Sequence, residues 1–271
     1  MKARIKFSKT GSMRFIGHLD VMRYFQKAFR RADIHMSYSQ GYSPHQLMSF
    51  TSPLGIGLSS DAEYLDIVLE ESDKPDVMVD RINSVMNDEI RVLGFTELNE
   101  DTKPSMATLA ACDYMIAVKP ERESAFADGI LTKEVLDNFL SREHIEIVKK
   151  TKRSEKLVDI KENIYHAAVD IGSFGEMTRR QYGELCIDTD YYKPILFCQL
   201  TAGSIVNIKP ELVMEAICSY MDVPFELLDF QIHRMEMYAD ADGKKGEIHT
   251  MTSEIPCRLV PMSEYGKVNI L

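Results

Sequence analysis

The stretch ARIKFSKTGSMRFIGHLDVMRYFQKAFRRAD (residues 3–33) decides the fold that the sequence predicts. Residues 3–9 alternate apolar and basic side chains, as a half-buried strand does. Residues 17–33 follow helical spacing and place their apolar side chains in one stripe. The predicted stripe contains Leu19, Met22, Phe25, Phe29 and Ala32. A strand followed by an amphipathic helix therefore opens the chain.

The segments that follow complete a six-element unit. Apolar runs at 47–57, 62–70 and 90–98 predict strands, and 73–87 predicts a helix that starts at an Asp-Lys-Pro sequence. The resulting order, β-α-β-β-α-β, is the ferredoxin-like pattern. We assign this unit to residues 1–98.

A polar, aperiodic segment at 99–108 is the predicted linker to a second unit, 109–238. Here we expect strands at 113–120, 145–151 and 225–238, helices at 122–142 and 209–221, and a strand-rich stretch at 156–172. Residues 183–190 and 195–201 are expected to form a hairpin of strands. The predicted fold class is thus α+β, with two tandem ferredoxin-like domains, the second carrying extra strands. Residues 239–271 are expected to be a C-terminal hairpin or a flexible tail.

Composition limits the protein class. The chain has 271 residues, and no apolar run approaches the roughly 20 residues of a membrane span. The five cysteines are far apart and form no C-x-x-C pair, which is typical of reduced thiols in a cytoplasmic protein. The N-terminus has no signal-like apolar region. We therefore expect a cytoplasmic protein without membrane contact.

Charge is distributed unevenly along the chain. The net charge is −10, yet residues 1–54 hold nine Lys and Arg against two Asp, so this segment carries +7 and the remainder −17. In the first helix, Arg23, Lys27 and Arg30 share one face, and Arg31 follows. The next loop adds the four side chains Tyr38, Tyr42, Ser43 and His45. Cations beside aromatic rings are typical of single-stranded nucleic-acid binding, and a solvated basic face is the alternative.

Signatures of catalysis and of metal or cofactor binding are missing. GIGLSS (55–60) has two of the three glycines of a dinucleotide fingerprint but no following helix, so we expect no cofactor. The histidines lack zinc-like spacing, so we expect no metal. Three residues are candidates for general acid–base catalysis. They are the imidazoles of His18 and His45 and the phenol of Tyr42. A second basic patch consists of Lys149, Lys150, Lys152 and Arg153, with Asp159 nearby in a strand context.

Several motifs together resemble the radical-SAM-linked family, an uncharacterised bacterial domain. They are GHLD (17–20), RRAD (30–33), SQGYSPH (39–45), SFTSPLGIG (49–57), SSDAEYLDI (59–67), VDIKENI (158–164) and NIKPELVMEAI (207–217). The resemblance implies an accessory domain that is fused to, or encoded beside, a B12-binding-type radical-SAM protein. Since the chain has no C-x3-C-x2-C cluster motif, the resemblance implies a separately encoded radical-SAM partner.

Three functions remain open. The first is an accessory module that presents RNA or another anionic macromolecule to a radical-SAM partner. The second is an RNA-processing enzyme, either a RAMP-like endonuclease or another acid–base catalyst; no R-T-D-x-G-like segment supports a pseudouridine synthase, Asp159 being the nearest acidic residue in a strand. The third is a protein-interaction scaffold that does not bind nucleic acid.

Overall fold

A computed structural model describes residues 1–122, 125–150, 155–243 and 257–268. In the first part of the chain, four strands form an antiparallel arrangement in the order β4-β1-β3-β2. Two helices lie between them in sequence. The elements are β1 (Lys2–Lys9), α1 (His18–Arg31), β2 (Met48–Phe50), β3 (Ser59–Val68), α2 (Pro75–Asn83) and β4 (Val92–Leu98).

The predicted elements of this part are confirmed, with one shorter strand and one misplaced side chain. Helix α1 buries Phe25 and Phe29 against the sheet, as the stripe predicted. Leu19 does not join them, because it lies in the first turn on the outward side and is 59% exposed. Strand β2 covers three residues of the predicted 47–57, since Gly55, Gly57 and Pro53 turn the chain after Phe50.

The second part of the chain contributes a further set of strands and helices. Strands in the order β10-β5-β9-β8 pair antiparallel, and β6 and β7 form a separate two-stranded sheet. The elements are α3 (Ser105–Thr108), β5 (Leu109–Val118), α4 (Lys133–Leu140), β6 (Glu146–Lys150), β7 (Glu155–Asp159), β8 (Ile164–Ala168), α5 (Ile171–Thr178), β9 (Lys193–Thr201), α6 (Pro210–Tyr220), β10 (Phe230–Asp240) and β11 (Leu259–Pro261).

An expectation for this part was wrong, and one helix was not predicted. Residues 183–190 form no strand; they cross the sheet as a loop whose Leu185 and Ile187 pack on its face. The apolar residues alternate with polar ones here because every second side chain is buried against the face of the sheet, and not because the segment pairs as a strand. Helix α5, in turn, had no predicted counterpart.

Both parts share one sheet. Strand β10 pairs parallel with β3 through His233↔Ser59 and Arg234↔Ser60, which joins the two strand sets. The fold is therefore a mixed α+β fold built on a large, mostly antiparallel sheet.

The described parts of the predicted linker, and of the C-terminal segment that was expected to be a hairpin or a flexible tail, pack onto this sheet. The predicted linker contains α3, where the backbone N–H of Ser105 donates to Asp66 Oδ2 at 2.7 Å. At the C-terminus, β11 pairs antiparallel with β10, and the guanidinium of Arg4 donates to the carbonyls of Met262 and Tyr265. The connecting residues 244–256 lie outside the described ranges. Among the described residues, no helix has both the length and the apolar character needed to cross a membrane.

Candidate functional site

The outer face of α1 presents a row of cations to solvent. Arg23, Lys27 and Arg30 are exposed and lie on successive turns, opposite the buried Phe25 and Phe29. Arg23 has a 3.4 Å contact with Asp20, an exposed pair that contributes little binding energy. Lys27 and Arg30 have no carboxylate partner among the residues that the structure describes. This face therefore retains positive charge for an external anion.

Arg31 lies on a different flank of the same helix. Its Nη2 donates to the carbonyl of Val85, just after α2, at 2.8 Å. By helical geometry, Arg31 and Tyr24 face α2, whereas His18 faces β2. Arg31 thus stands apart from the row that Arg23, Lys27 and Arg30 form.

Residues 37–47 form a hairpin that leaves the sheet near the C-terminal end of α1. Its base pairs Tyr38 with Gln46, and Ser39 Oγ lies 2.8 Å from His45 Nδ1. Gly41 adopts φ +118°, a conformation that side-chain-bearing residues rarely take, and this turns the tip. Next to it, Tyr42 is fully exposed, and Ser43 and His45 are exposed as well. The hairpin therefore projects an aromatic ring and hydroxyl groups into solvent.

The three candidate acid–base residues do not converge. The His18 ring packs edge-on against Phe50, with ring centroids 5.0 Å apart. His45 precedes Phe50 by five residues along an extended segment, a separation of about 17 Å. Tyr42 lies still further out at the hairpin tip. This arrangement offers no shared site for proton transfer by His18 with His45 or Tyr42.

The second basic patch is only partly described. Lys149 and Lys150 end β6, and Lys152 and Arg153 lie outside the described residues. Asp159 ends β7 and accepts hydrogen bonds from the backbone N–H groups of Ile145 and Lys161. Its other oxygen lies 2.7 Å from His144 Nδ1. Asp159 therefore holds the ends of the β6–β7 sheet together through these hydrogen bonds and is not a free carboxylate.

A small pocket, not predicted from the sequence, opens beside the N-terminal end of α1. Three of the quoted motifs meet there: GHLD provides His18, SFTSPLGIG provides Phe50, and SSDAEYLDI provides Glu63. Strand β1 adds Lys9, which is 3% exposed. The lining residues are Phe7, Lys9, His18, Val21, Phe50, Pro53, Leu54 and Glu63.

A buried charged group lies under this pocket. Glu63 Oε1 accepts from Arg234 Nη1 at 2.9 Å, and both side chains are 6% exposed. Burial raises the pKa of Glu63, although Arg234 opposes the rise. Burial also lowers the pKa of Lys9, with Glu63 opposing and Arg234 adding to the effect. The positive charges of Lys9 and Arg234 outnumber the single carboxylate.

A Ser–His–Asp contact also occurs where β3 meets β10. His233 Nδ1 lies 2.9 Å from Ser59 Oγ, and its Nε2 lies 3.1 Å from Asp61 Oδ2 without forming a linear hydrogen bond. Ser59 and His233 are fully buried, and Ser59 Oγ also accepts from Gln231. Because the Ser59 hydroxyl is buried and already bonded to His233 and Gln231, the contact links β3 to β10.

Comparison with known proteins gives a family but no activity. No curated protein matches the sequence. The chain is similar at 11% identity, with a TM-score of 0.39, to a chain of the structure described as "Crystal Structure of a Cbf5-Nop10-Gar1 Complex". The match covers 87% of this chain and 48% of that one, so this chain spans about half the length of its neighbour. Residues 2–210 match the family described as "Uncharacterized protein conserved in bacteria (DUF2344)". The chain therefore belongs to this bacterial family.

Proposed function

We propose that the chain is an accessory binding module that contacts single-stranded RNA through the outer face of α1 and the 37–47 hairpin. One observation carries the proposal: Lys27 and Arg30 are exposed without carboxylate partners among the described residues, and Tyr42 projects from the hairpin near the end of the same helix. Single-strand binding combines cations that follow the backbone with rings that stack on bases.

The spacing of the cations supports this reading. Side chains three and four residues apart on a helix lie about 5–6 Å apart, which is comparable to the phosphate repeat of an extended strand. Arg23, Lys27 and Arg30 can therefore meet successive phosphates. The net charge of −10 favours local binding over general attraction to nucleic acid, because the rest of the surface repels phosphates.

We interpret residues 1–98 and 109–238 as two ferredoxin-like domains that share one sheet. The strand orders β4-β1-β3-β2 and β10-β5-β9-β8, each antiparallel, support this interpretation. The free thiols of all five cysteines agree with a cytoplasmic location. In this arrangement, the first domain carries the RNA-binding surface.

We further propose that the module serves a radical-SAM partner. The motif resemblance across both parts of the chain supports this, as does the absence from the chain of the C-x3-C-x2-C motif of radical-SAM enzymes. The positions of His18, His45 and Tyr42 give no support to catalysis by this chain.

Titration of fluorescently labelled single-stranded RNA, followed by anisotropy, tests the RNA surface. Replacing Arg23, Lys27 and Arg30 by Gln removes three phosphate contacts, so the salt slope of log K should fall by about 2 and low-salt affinity by at least about tenfold. Tyr42→Ala should cost ~1–3 kcal/mol through lost stacking.

The matched control replaces three exposed lysines of the second part, Lys133, Lys193 and Lys209, by Gln. It changes the net charge equally and should leave affinity almost unchanged. Equal losses in both triple variants would mean that binding reflects net charge alone. Absence of wild-type binding at low salt would exclude the RNA proposal.

Co-elution with the product of a neighbouring radical-SAM gene tests the partner, with and without nuclease. A complex that survives nuclease, from a protein that binds no RNA, would favour the scaffold function over RNA presentation. Absence of any complex would exclude the accessory role.

A further inference from the structure

An open groove runs along the outer side of α5 and the loop that follows this helix. The helix contributes one wall, and residues 179–182 contribute the other. The volume of the groove is about 820 Å³. Because binding sites for small molecules hold roughly 300–1,000 Å³, the groove has room for a whole ligand.

Arg180 lies in this groove, held in place but without an anionic partner. Its guanidinium carbon is 4.8 Å from the centroid of the Tyr238 ring, a cation–π contact that restricts the side chain. Within the described part of the chain, its guanidinium makes no ion pair and no hydrogen bond. A guanidinium has five N–H donors, so all of them are available to a ligand in the groove.

Arg179 has a backbone conformation that favours glycine. It is the C-cap of α5, with φ 56° and ψ 42°, in the left-handed region. Glycine or asparagine takes this conformation at a lower cost in free energy. The side chain of Arg179 is exposed, and no described residue forms a hydrogen bond or an ion pair with it. No contact inside the fold therefore offsets the cost of an arginine here, whereas a bound anion would.

The end of α5 does not need these two guanidinium groups. The backbone N–H of Arg180 donates to the carbonyl of Gly175 at 2.8 Å, and that of Arg179 donates to the carbonyl of Glu176 at 3.3 Å. The negative end of a helix dipole resides in carbonyls that lack such partners. The backbone therefore satisfies this end of the helix, and the guanidinium groups are left for another anion.

The charges in the groove favour a phosphate group. Arg179 and Arg180 face one lining carboxylate, that of Glu176, which leaves one surplus positive charge. A phosphomonoester has three terminal oxygens and a charge of about −1.5 to −2 at pH 7, so it can accept from both guanidinium groups at once. A monocarboxylate has two oxygens, which a single guanidinium already satisfies.

The rest of the groove suits a flat body with polar edges. The Tyr182 ring is fixed, because it stacks on Phe174 with centroids 5.5 Å apart and its hydroxyl donates to Asp113 Oδ2 at 2.7 Å. Gly172 on the helix side has no side chain, which leaves room for a ring beside the backbone. The amide of Gln181 is exposed and can both donate to a ligand and accept from it.

We propose that this groove binds a phosphomonoester with a planar, polar body, which is the chemistry of a nucleoside monophosphate or of the phosphorylated end of an RNA strand. The guanidinium groups of Arg179 and Arg180 bind the phosphate, and the body lies along α5 beside Gln181. Helix α5 packs on β8 and β9, and β9 is four strands from β1 in the sheet, a separation of about 19 Å. The site is therefore separate from the outer face of α1 and does not depend on RNA binding there.

Calorimetric titration of the full chain with 5′-AMP tests the proposal. We expect AMP to bind, and adenosine and inorganic phosphate each to bind at least about tenfold more weakly, because each lacks half of the recognised chemistry. Arg180→Gln should lower AMP affinity at least about tenfold. Arg179→Gly should do the same while the protein is at least as stable as the wild type, since glycine suits the left-handed conformation.

The matched control is Arg142→Gln. Arg142 is also an exposed arginine over a tyrosine ring, that of Tyr220 at 5.8 Å, and it lies outside the groove. This variant should bind AMP as the wild type does. If Arg180→Gln does not fold, Arg179→Gly decides.

Oligoadenylates that carry or lack a 5′-phosphate separate the two sources of the ligand. They are titrated into the variant in which Gln replaces Arg23, Lys27 and Arg30, so that α1 does not contribute. Tighter binding of the phosphorylated strand than of AMP supports an RNA end, and tighter binding of AMP supports a free nucleotide. The proposal is overturned if AMP fails to bind at millimolar concentration, if adenosine or inorganic phosphate binds equally well, or if folded Arg179→Gly keeps wild-type affinity. An equal loss in Arg142→Gln overturns it too.

Discussion

Asp113, in the middle of β5, is a fully buried carboxyl group. It accepts hydrogen bonds from the hydroxyls of Tyr182 and Tyr238 and, at 2.9 Å, from Gln199 Nε2. Burial raises the pKa of Asp113 from 3.8 to about 6, although these three hydrogen bonds oppose the rise. The folded protein therefore retains the Asp113 proton at a pH where the unfolded chain has already lost it.

This retained proton makes the stability of the fold depend on pH. Between about pH 4 and 6, unfolding releases this proton, so the contribution of Asp113 to stability falls as pH rises. Asp113→Asn removes the titration, and its free energy of unfolding relative to wild type should increase by about 2–3 kcal/mol from pH 4 to pH 7. Urea unfolding at the two pH values measures this difference.

Asp80→Asn, on the exposed face of α2, is the matched control and should show no comparable change. A stability difference between Asp113→Asn and wild type that stays constant from pH 4 to pH 7 would contradict the assignment of this titration to Asp113.

Single side chains were predictable from the sequence where local pattern decides their position. Arg23, Lys27 and Arg30 are exposed, as their helical spacing indicated. The Glu63–Arg234 pair could not be predicted, because the two residues are 171 positions apart and meet only when β10 reaches β3. A charged residue on the apolar face of a strand, such as Glu63 two positions before Leu65, is the one local sign of such a partner.

At the scale of elements, α5 shows what periodicity misses. Its sequence, IGSFGEMT, has two glycines and no apolar stripe. The helix forms because Asp170 caps it by accepting from Ser173 N, and because Phe174 is buried under it. Helix α1 was predicted because five apolar residues repeat along one side, whereas α5 depends on a cap and on the burial of Phe174 against Tyr182 and Phe197.

Gly175 allows the chain to pass closely at the end of α5. The backbone N–H of Arg180 donates to the Gly175 carbonyl at 2.8 Å, and a Cβ at Gly175 would lie 2.7 Å from the Arg180 oxygen. We expect Gly175→Ala to destabilise the protein by about 1–3 kcal/mol in urea unfolding, since backbone must shift.

The comparison variant is Gly183→Ala, where a Cβ meets no atom within 4 Å. Its stability should stay within about 0.5 kcal/mol of wild type. Equal stability of the two alanine variants would show that the loop after α5 adjusts at little cost.

At the scale of the whole molecule, the shared sheet implies that the two parts of the chain unfold together. The largest core cluster contains Ala62 and Tyr64 of β3 together with residues of β5, β9 and β10. Arg4 of β1 also binds Asp66 and the segment after β11. Strands were predicted in both parts of the chain, but the junction between β3 and β10 was not, because a junction of two residue pairs leaves no periodic signal.

Native-state hydrogen exchange tests whether the two parts unfold together. Because the core crosses the junction, the most protected amides of β1 and β9 should exchange with the same free energy, equal to that of global unfolding. A value for β1 lower by more than about 2 kcal/mol would mean that the first part unfolds separately.

The β3–β10 contact also has a consequence for synthesis of the chain. Ser59 leaves the ribosome long before its partner His233, which is 174 residues later. Until then the end of β3 that will pair with β10 is an open strand edge, and such edges pair readily with other chains. The nascent protein is therefore most prone to aggregation during this interval, and slow translation between Ser59 and His233 should lower the yield of soluble protein more than slow translation after β10.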